Sequence, residues 1–185
     1  MAEAKVTQVK GSMLAGFVKA IKADTTGKLA TAITDEARDL IQQRILTANW
    51  YPFAPYKSCF QAVCQVNARS NPEIMRQFGR KAGEETMTSV YRTVFSKNTV
   101  EGAMDSFRVI GNTVYDSLAI RSEISDDNKL RISFHDFDPD FAEWYFVGLG
   151  WMERTLELVL GKDVKSEIVE RSWEGAPATV FEMRW

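Results

Sequence analysis

The repeat of apolar side chains changes its period near Tyr115, and this change limits the folds open to the chain. Before it, apolar residues recur every three or four positions, as they do on amphipathic helices. After it, Leu118, Ile120 and Ile124 alternate with polar residues, which is the period of a strand with one wet face. The sequence therefore predicts a mainly helical half over residues 1–114 and a strand-containing half over residues 115–185.

Start and stop signals divide the first half into helices. Thr34 precedes two acidic residues and predicts a helix cap, and Asn71 before Pro72 predicts another. The segment that contains Pro52 and Pro55 must end the helix that begins at Thr34, because two prolines so close together cannot lie inside a helix. The predicted elements are a short strand or extended lead over residues 5–10, and helices beginning near Ser12, at Thr34, near Pro55, at Asn71 and at Thr99, of which the fourth reaches Phe95.

The second half reads as two β-hairpins separated by a long helix. Leu130, Ile132 and Phe134 alternate after a turn at 126–129, and Asp138 with Pro139 predicts the start of a helix that ends near Gly161. A second hairpin follows over 164–173 and 179–185. We expect an α+β protein of one domain, residues 1–185, in which an N-terminal helical bundle packs on a C-terminal antiparallel sheet made of the two hairpins.

Composition and charge exclude several classes of function. The chain has 23 Lys and Arg against 25 Asp and Glu, so no overall basic field draws it to nucleic acid. Its longest apolar stretch, residues 141–152, contains Glu143 and is too short for a bilayer span. Since no signal peptide is visible, we expect a cytoplasmic protein with no membrane span and no nucleic-acid partner.

The residues that most often carry chemistry form no recognisable site. His135 is the one histidine, and strand alternation predicts that it points to solvent with Arg131 and Ser133. The acids at 136–140 lack the glycine and glutamate of a calcium loop, and Cys59 and Cys64 lack zinc spacing, although a reactive or modified cysteine stays possible. No catalytic motif is present, so we expect neither a metal nor an enzyme.

Aromatic side chains along the long helix are the remaining signal. They lie at helical spacing on one face: Phe141, Trp144, Tyr145, Trp151 and Met152, with Gly148 among them and Leu156 beyond. A glycine in such a stripe leaves a gap, and a gap lined by large rings between helix and sheet is typical of an apolar ligand pocket. The alternative is tight packing of helix on sheet, with the glycine permitting contact.

Four segments carry a resemblance to a known group of proteins. They are Val9-Lys10-Gly11-Ser12, Trp50-Tyr51-Pro52, Phe78-Gly79-Arg80-Lys81-Ala82-Gly83, and residues 170–185 with their ending Phe181-Glu182-Met183-Arg184-Trp185. In these the chain resembles a bacterial family within the superfamily of heme-NO-binding and four-vinyl-reductase domains, which also includes Bet3-type tethering subunits. The resemblance implies a sensory or carrier domain with a pocket between helices and sheet.

Two departures from that superfamily affect what the resemblance implies. Relatives often carry cysteines in the last hairpin, where this chain has Ser172 and Ala178. Heme-binding members use a histidine on a helix, and no predicted helix here contains one. We therefore expect no cofactor, heme included, although Tyr or Cys serves as the axial ligand in some heme proteins.

The leading hypothesis is a non-catalytic sensor or ligand-binding module that holds a small apolar molecule and signals to a partner. Its predicted ligand-binding residues are Trp144, Tyr145, Trp151 and Met152 on the long helix, Phe134 and Phe181 on the sheet, and Phe78 and Tyr91 on the fourth helix. One alternative is a protein-interaction or adaptor domain, for example a homodimer, without ligand. Another is a tetrapyrrole-related enzyme, which rests on fold analogy alone.

Overall fold

The structure, a computed structural model, describes residues 5–95, 97–125 and 128–185, without the side chains of residues 90–92. It has the predicted α+β class, with a helical N-terminal part and an antiparallel C-terminal sheet. The helices are α1 (Gly11–Ala23), α2 (Lys28–Ala32), α3 (Asp35–Gln42), α4 (Phe53–Asn67), α5 (Pro72–Thr88), α6 (Val100–Val114) and α7 (Ala142–Leu160). The strands are β1 (Gln8–Lys10), β2 (Trp50–Pro52), β3 (Ala119–Ser125), β4 (Lys129–His135), β5 (Lys165–Glu170) and β6 (Thr179–Arg184).

The main sheet has four antiparallel strands in the order β3-β4-β6-β5. Each predicted hairpin is present, and β4 pairs with β6 to join them, with Ile132 opposite Phe181. Leu130, Ile132 and Phe134 of β4 are buried, while the residues between them are half-buried. The alternation read from the sequence therefore corresponds to one face of the sheet packed against the core. The turn at residues 126–127 lies outside the described residues.

A second sheet, which the sequence did not predict, pairs β1 with β2. Val9 lies opposite Tyr51, and a single bridge joins Val9 to Tyr115. The segment around Pro52 was predicted only as a break between helices. Trp50–Pro52 instead form a strand that pairs with β1, and α4 begins directly after it, at Phe53.

Helix caps follow the sequence signals at Thr34 and Asn71, and Thr99, predicted only as a helix start, is a cap as well. The side chains of Thr34, Asn71 and Thr99 each accept a hydrogen bond from a backbone N–H in the first turn of α3, α5 and α6. Such a cap satisfies one of the donors that a helix start leaves without a partner. Local chemistry alone was therefore enough to locate these helix starts.

The predicted bounds of two helices are wrong. The fourth predicted helix ends at Thr88, and a 3₁₀ helix over Val90–Phe95 follows it. The helix predicted to start at Asp138 begins at Ala142. Asp138 does not cap it, because its carboxylate accepts a hydrogen bond from the backbone of Asp140 and pairs with Lys57 Nζ at 2.8 Å.

Helices α5 and α7 lie against each other through glycines. A Cβ added at Gly79 would lie 1.9 Å from the carbonyl oxygen of Val147, and one added at Gly150 would lie 2.0 Å from that of Arg76. At Gly83 the nearest atom would be the Trp151 carbonyl oxygen, at 3.0 Å. These backbones approach so closely that only glycine fits at Gly79 and Gly150.

Charged side chains join the same two helices alongside the glycine contacts. The buried carboxylate of Glu153 pairs with Arg76 and Arg80, and it accepts a hydrogen bond from Ser166 of β5. Arg80 also pairs with Glu157 at 2.9 Å. Burial acts to raise the pKa of Glu157, but hydrogen bonds from Arg80 and Arg154 outweigh it and leave that pKa lowered. The network ties α5, α7 and β5 together.

One apolar core runs through both halves, from Val6 and Leu14 in the helical part to Phe181 and Met183 in the sheet. Among the described residues, no helix has the length and the apolar character that crossing a membrane would require.

Candidate functional site

A cavity of about 240 Å³ lies among the helices, on the side of α7 that faces α6. Five helices, the segment after α6 and strand β3 form its wall. The lining residues are Met13 of α1; Tyr56 and Phe60 of α4; Ala82 and Thr86 of α5; Phe107, Ile110, Gly111 and Val114 of α6; Tyr115 and Leu118 between α6 and β3; Ile120 of β3; and Trp144, Val147, Gly148, Trp151 and Met152 of α7. No Lys, Arg, His, Asp or Glu is among them. The wall is therefore apolar and uncharged.

Helix α7 supplies the widest part of this wall. Trp144, Gly148 and Trp151 follow one another at one-turn spacing, so they lie on one side of the helix. A Cβ added at Gly148 would have the Trp144 ring as its nearest neighbour, at 3.9 Å. Gly148 thus faces free space, unlike Gly150 on the α5 side. Its missing side chain accounts for part of the cavity.

The polar atoms of the wall bond to one another. Trp144 Nε1 donates to the Tyr115 hydroxyl at 2.7 Å, and the hydroxyls of Tyr115 and Tyr56 lie 3.0 Å apart. Trp151, further along α7, donates through Nε1 to Thr86 Oγ1 of α5 at 2.9 Å. Because the side-chain N–H groups are already used, a ligand in this cavity meets mainly carbon and sulfur surface.

Both tyrosines of the wall stay protonated at neutral pH. Burial raises the pKa of Tyr115 to about 12, against the opposing effect of its hydrogen bonds with Tyr56 and Trp144. Burial also raises the pKa of Tyr56 well above its ordinary value. Each residue therefore presents a neutral phenol with one O–H donor.

The predicted ligand-binding residues fall into three groups in the structure. Trp144, Trp151 and Met152 line the cavity. Tyr145, Phe134 and Phe181 lie on the sheet side of α7, where the ring centroids of Phe134 and Phe181 are 5.0 Å apart. That layer is packed ring against ring, so these three residues do not reach the cavity.

The two residues predicted on the fourth helix are not part of the cavity wall as described. Phe78 is 37% exposed on α5. Tyr91 belongs to the 3₁₀ helix after α5, and its side chain lies outside the described residues. The fourth helix contributes instead through Ala82 and Thr86.

Sequence reasoning located the gap on the wrong side of α7. We predicted it between helix and sheet, whereas the cavity lies chiefly among helices α1, α4, α5, α6 and α7, and the lining residue from the main sheet is Ile120 of its edge strand β3. Helix α7 is covered on several sides, so its apolar residues form more than one face and cannot be read as one stripe. Tyr56 and Tyr115 were missed because no local pattern brings together two residues 59 positions apart.

The other predicted chemical residues lie away from the cavity. His135 is half-buried on β4, with Nε2 3.0 Å from Ser133 Oγ. Burial raises the pKa of the Cys59 thiol to about 11 and that of Cys64 to about 12, so both remain thiols at neutral pH. Among the described residues, no three His, Cys, Asp or Glu side chains are grouped so that they could hold a metal ion.

Solved structures share this arrangement of helices and sheet. An H-NOX protein from S. oneidensis in the Fe(II)NO ligation state is 15% identical, with 95% of this chain and 98% of that chain covered and a TM-score of 0.64. This chain has the H-NOX fold. An oxygen-binding H-NOX domain related to soluble guanylate cyclases matches with 15% identity over 95% of this chain and 94% of that one, at a TM-score of 0.60.

Further comparisons correct the prediction that the protein has no cofactor. A structure from work on heme distortion in the H-NOX family is also 15% identical, covers 95% of this chain and 94% of its own, and has a TM-score of 0.62. No model of a protein family matches the sequence, and no curated protein matches it. Our expectation of no cofactor, heme included, is contradicted by these neighbours, because structures with this fold are described with heme.

The donor atoms at the cavity wall determine how a heme could be held here. The lining residues that carry donor atoms suited to iron are Met13 and Met152, with thioether sulfurs, and Tyr56 and Tyr115, with phenols. Methionine and tyrosine both serve as axial ligands in heme proteins. The wall offers no imidazole and no cation to pair with a propionate.

Proposed function

We propose that this chain is a cytoplasmic sensory module that binds a small, largely apolar ligand in the cavity beside α7 and reports its occupancy to a protein partner. The observation that carries the proposal is the cavity of about 240 Å³ with an uncharged wall, located in a fold whose solved examples bind ligands. Globular cores are otherwise packed with few voids larger than a water molecule. An apolar space of this size therefore favours an occupant.

The volume favours a ligand of one or two rings. An engineered apolar cavity of about 150 Å³ in another protein binds benzene. The cavity here is larger, so a bicyclic molecule is a reasonable match for its present shape. Filling it with such a molecule removes apolar ligand surface from water, which supplies the binding free energy.

Heme is a further candidate, suggested by the neighbours of the same fold. A porphyrin has four pyrrole rings and exceeds the present volume, so its entry requires the walls to separate. Met13 or Met152 would then be the soft donors that the wall could offer to its iron. A bound heme would add an iron able to take a diatomic gas, and the apolar wall would shield that iron from water.

The test uses two glycines that differ only in what surrounds them. Gly148→Leu places a side chain in the cavity, whereas Gly16→Leu places one on an exposed side of α1 where no atom lies within 4 Å. Both changes raise helix propensity by about 1 kcal/mol. We expect the Gly148 variant to lose bound ligand and the Gly16 variant to keep it.

Two measurements read out this comparison. Native mass spectrometry of the purified chains, before and after denaturation, detects a retained molecule, and titration with hemin followed by visible absorption detects heme. Ligand or heme binding that is the same in wild type and Gly148→Leu would contradict the proposed site. A wild-type chain that carries nothing and binds neither hemin nor small apolar molecules would contradict the proposed function.

A further inference from the structure

The tyrosine pair at the cavity wall, Tyr56 and Tyr115, has two O–H groups but uses only one of them in the hydrogen bond between the two phenols. Trp144 Nε1 donates to Tyr115, and one phenol of the pair donates to the other. Two phenols carry two O–H groups, so one hydrogen is left over whichever residue is the donor. Within residues 5–95, 97–125 and 128–185, the side chains of residues 90–92 excepted, the pair has no other hydrogen-bond partner.

Both phenols are removed from bulk water. Tyr56 is 0% exposed and Tyr115 is 3% exposed. A buried donor without an acceptor is rare in folded proteins and destabilising. The surrounding protein leaves the cavity, which both residues border, as the place from which an acceptor can come.

We propose that the ligand of this cavity carries an uncharged hydrogen-bond acceptor, such as a carbonyl or ether oxygen, that binds the spare phenol proton of the Tyr56–Tyr115 pair. This inference rests on the proposed function and names the class of ligand. The remainder of the molecule is apolar, because the rest of the wall presents carbon and sulfur.

The charges of the wall exclude an anionic acceptor. A carboxylate or phosphate buried here would have no Lys, Arg or His among the lining residues to pair with. A buried charge without a partner is far more costly than a buried neutral oxygen. The raised pKa of both tyrosines keeps the phenols neutral, so the site is suited to one neutral acceptor.

Counting protons predicts an unusual pattern among variants. The wild-type pair has one O–H to offer, and each of the single variants Tyr56→Phe and Tyr115→Phe also keeps one, on the remaining phenol. Only the double variant has none. Because Tyr115→Phe would also free the Trp144 N–H as a new donor, the wild-type pair and all of these variants are compared in a Trp144→Phe background. Tyr51→Phe is a matched control, since its phenol accepts from the Leu46 N–H at 2.8 Å and does not line the cavity.

The experiment compares two probes of almost the same shape, indane and 1-indanone, which differ by one carbonyl. Isothermal titration calorimetry of the full chain gives the ratio of their dissociation constants. We expect the preference for 1-indanone to fall by roughly three- to tenfold in the double variant, as the loss of one hydrogen bond requires. The ratio should stay close to the wild-type value in both single variants and in Tyr51→Phe.

The possible failures are distinguishable. If both probes bind wild type but the double variant keeps the wild-type ratio, the cavity binds ligands and the inference about the tyrosines is wrong. If neither probe binds wild type, the inference falls, and it falls together with the proposed function when hemin binding is absent too. Infrared spectra of 1-indanone on wild type give a second readout that needs no variant, because a bound phenol lowers its carbonyl stretching frequency relative to the ketone in hexane. An unshifted frequency would overturn the inference.

Discussion

At the scale of single residues, Gly148 and Gly150 of α7 are close in sequence and opposite in surroundings. A Cβ at Gly148 would enter the cavity, while one at Gly150 would collide with the backbone of α5. Both are glycines inside a helix, so the sequence predicts an energetic cost at each. The aromatic stripe predicted a gap at Gly148, but no sequence signal indicated that Gly150 meets the backbone of α5. What separates them is which neighbour each faces, and distant parts of the chain decide that.

Tyr115 makes stability depend on pH in the alkaline range. Its pKa is raised from 10 to about 12 by burial, so the folded state holds the proton more tightly than the unfolded chain does. The stabilisation is complete below pH 10, where both states are protonated, and is lost as pH rises from 10 towards 12. By pH 11 the loss is about 1.4 kcal/mol, one pKa unit above the unfolded value.

Urea unfolding at pH 9 and pH 11 measures this loss. We expect the difference in unfolding free energy between the two pH values to be smaller in Tyr115→Phe than in wild type by about that amount. Tyr115 also raises the pKa of its neighbour Tyr56, so the same pair of chains is compared in a Tyr56→Phe background, which isolates the one phenol. Identical differences in the two proteins would show that burial of Tyr115 does not act on its proton.

At the scale of secondary-structure elements, the α5–α7 contact makes a strong prediction about Gly79. Gly79→Ala places a methyl group 1.9 Å from the carbonyl oxygen of Val147, and both backbones must separate to admit it. We expect a loss of about 2 kcal/mol or more in unfolding free energy, since overpacking outweighs the gain in helix propensity. Gly16→Ala on α1 should instead stabilise by about 0.5–1 kcal/mol. Chemical denaturation of both variants decides the matter, and a stabilised Gly79→Ala would refute the close contact.

The charge network between the same helices predicts a second loss. Glu153→Gln leaves Arg76 and Arg80 facing a neutral amide beside Ser166. We expect a loss of about 2 kcal/mol, below the full cost of breaking a buried ion pair because both arginines reach solvent. Glu84→Gln breaks the exposed pair with Arg154 and should cost less than about 1 kcal/mol. Equal melting temperatures for the two variants would argue against a structural network at Glu153.

The sequence predicts elements better than it predicts their surroundings. The caps at Thr34 and Asn71, the helix start at Thr99 and the alternation in β4 are local chemistry, and the structure agrees with each. The start of α7 was missed because Asp138 bonds to Lys57, which is 81 residues away. The cavity was assigned to the wrong side of α7 for the same reason: residues of α1, α4 and α6 form its wall, and no local pattern relates them.

At the scale of the whole molecule, the walls of the cavity are held with unequal strength. We propose that the chain is a single domain, because one apolar core spans both halves. Within it, α5 and α7 are fixed by glycine contacts and by the Glu153 network. Helix α6 meets α7 chiefly through rings, with Phe107 and Trp151 centroids 5.0 Å apart.

Helix α6 is linked to the edge strand of the main sheet. Arg108 Nε donates to the carbonyl oxygen of Ile120 at 3.4 Å, and its guanidinium also bonds to Ser122 of β3. Hydrogen exchange with and without saturating 1-indanone tests which wall responds. We expect amide protection to change in α6 and β3 and to stay constant at the α5–α7 glycine contact. The reverse pattern would mean that the glycine contact is the compliant one.

The close glycine packing of α5 and α7 thus has a mechanical consequence. Because α5 and α7 are packed too closely to move apart, a ligand that enlarges the cavity must displace α6 and β3 instead. Both elements reach the surface, where Val109 of α6 is 54% exposed and Ile124 of β3 is 38% exposed. A partner protein would therefore detect a bound ligand as a displacement of this outer edge of the sheet.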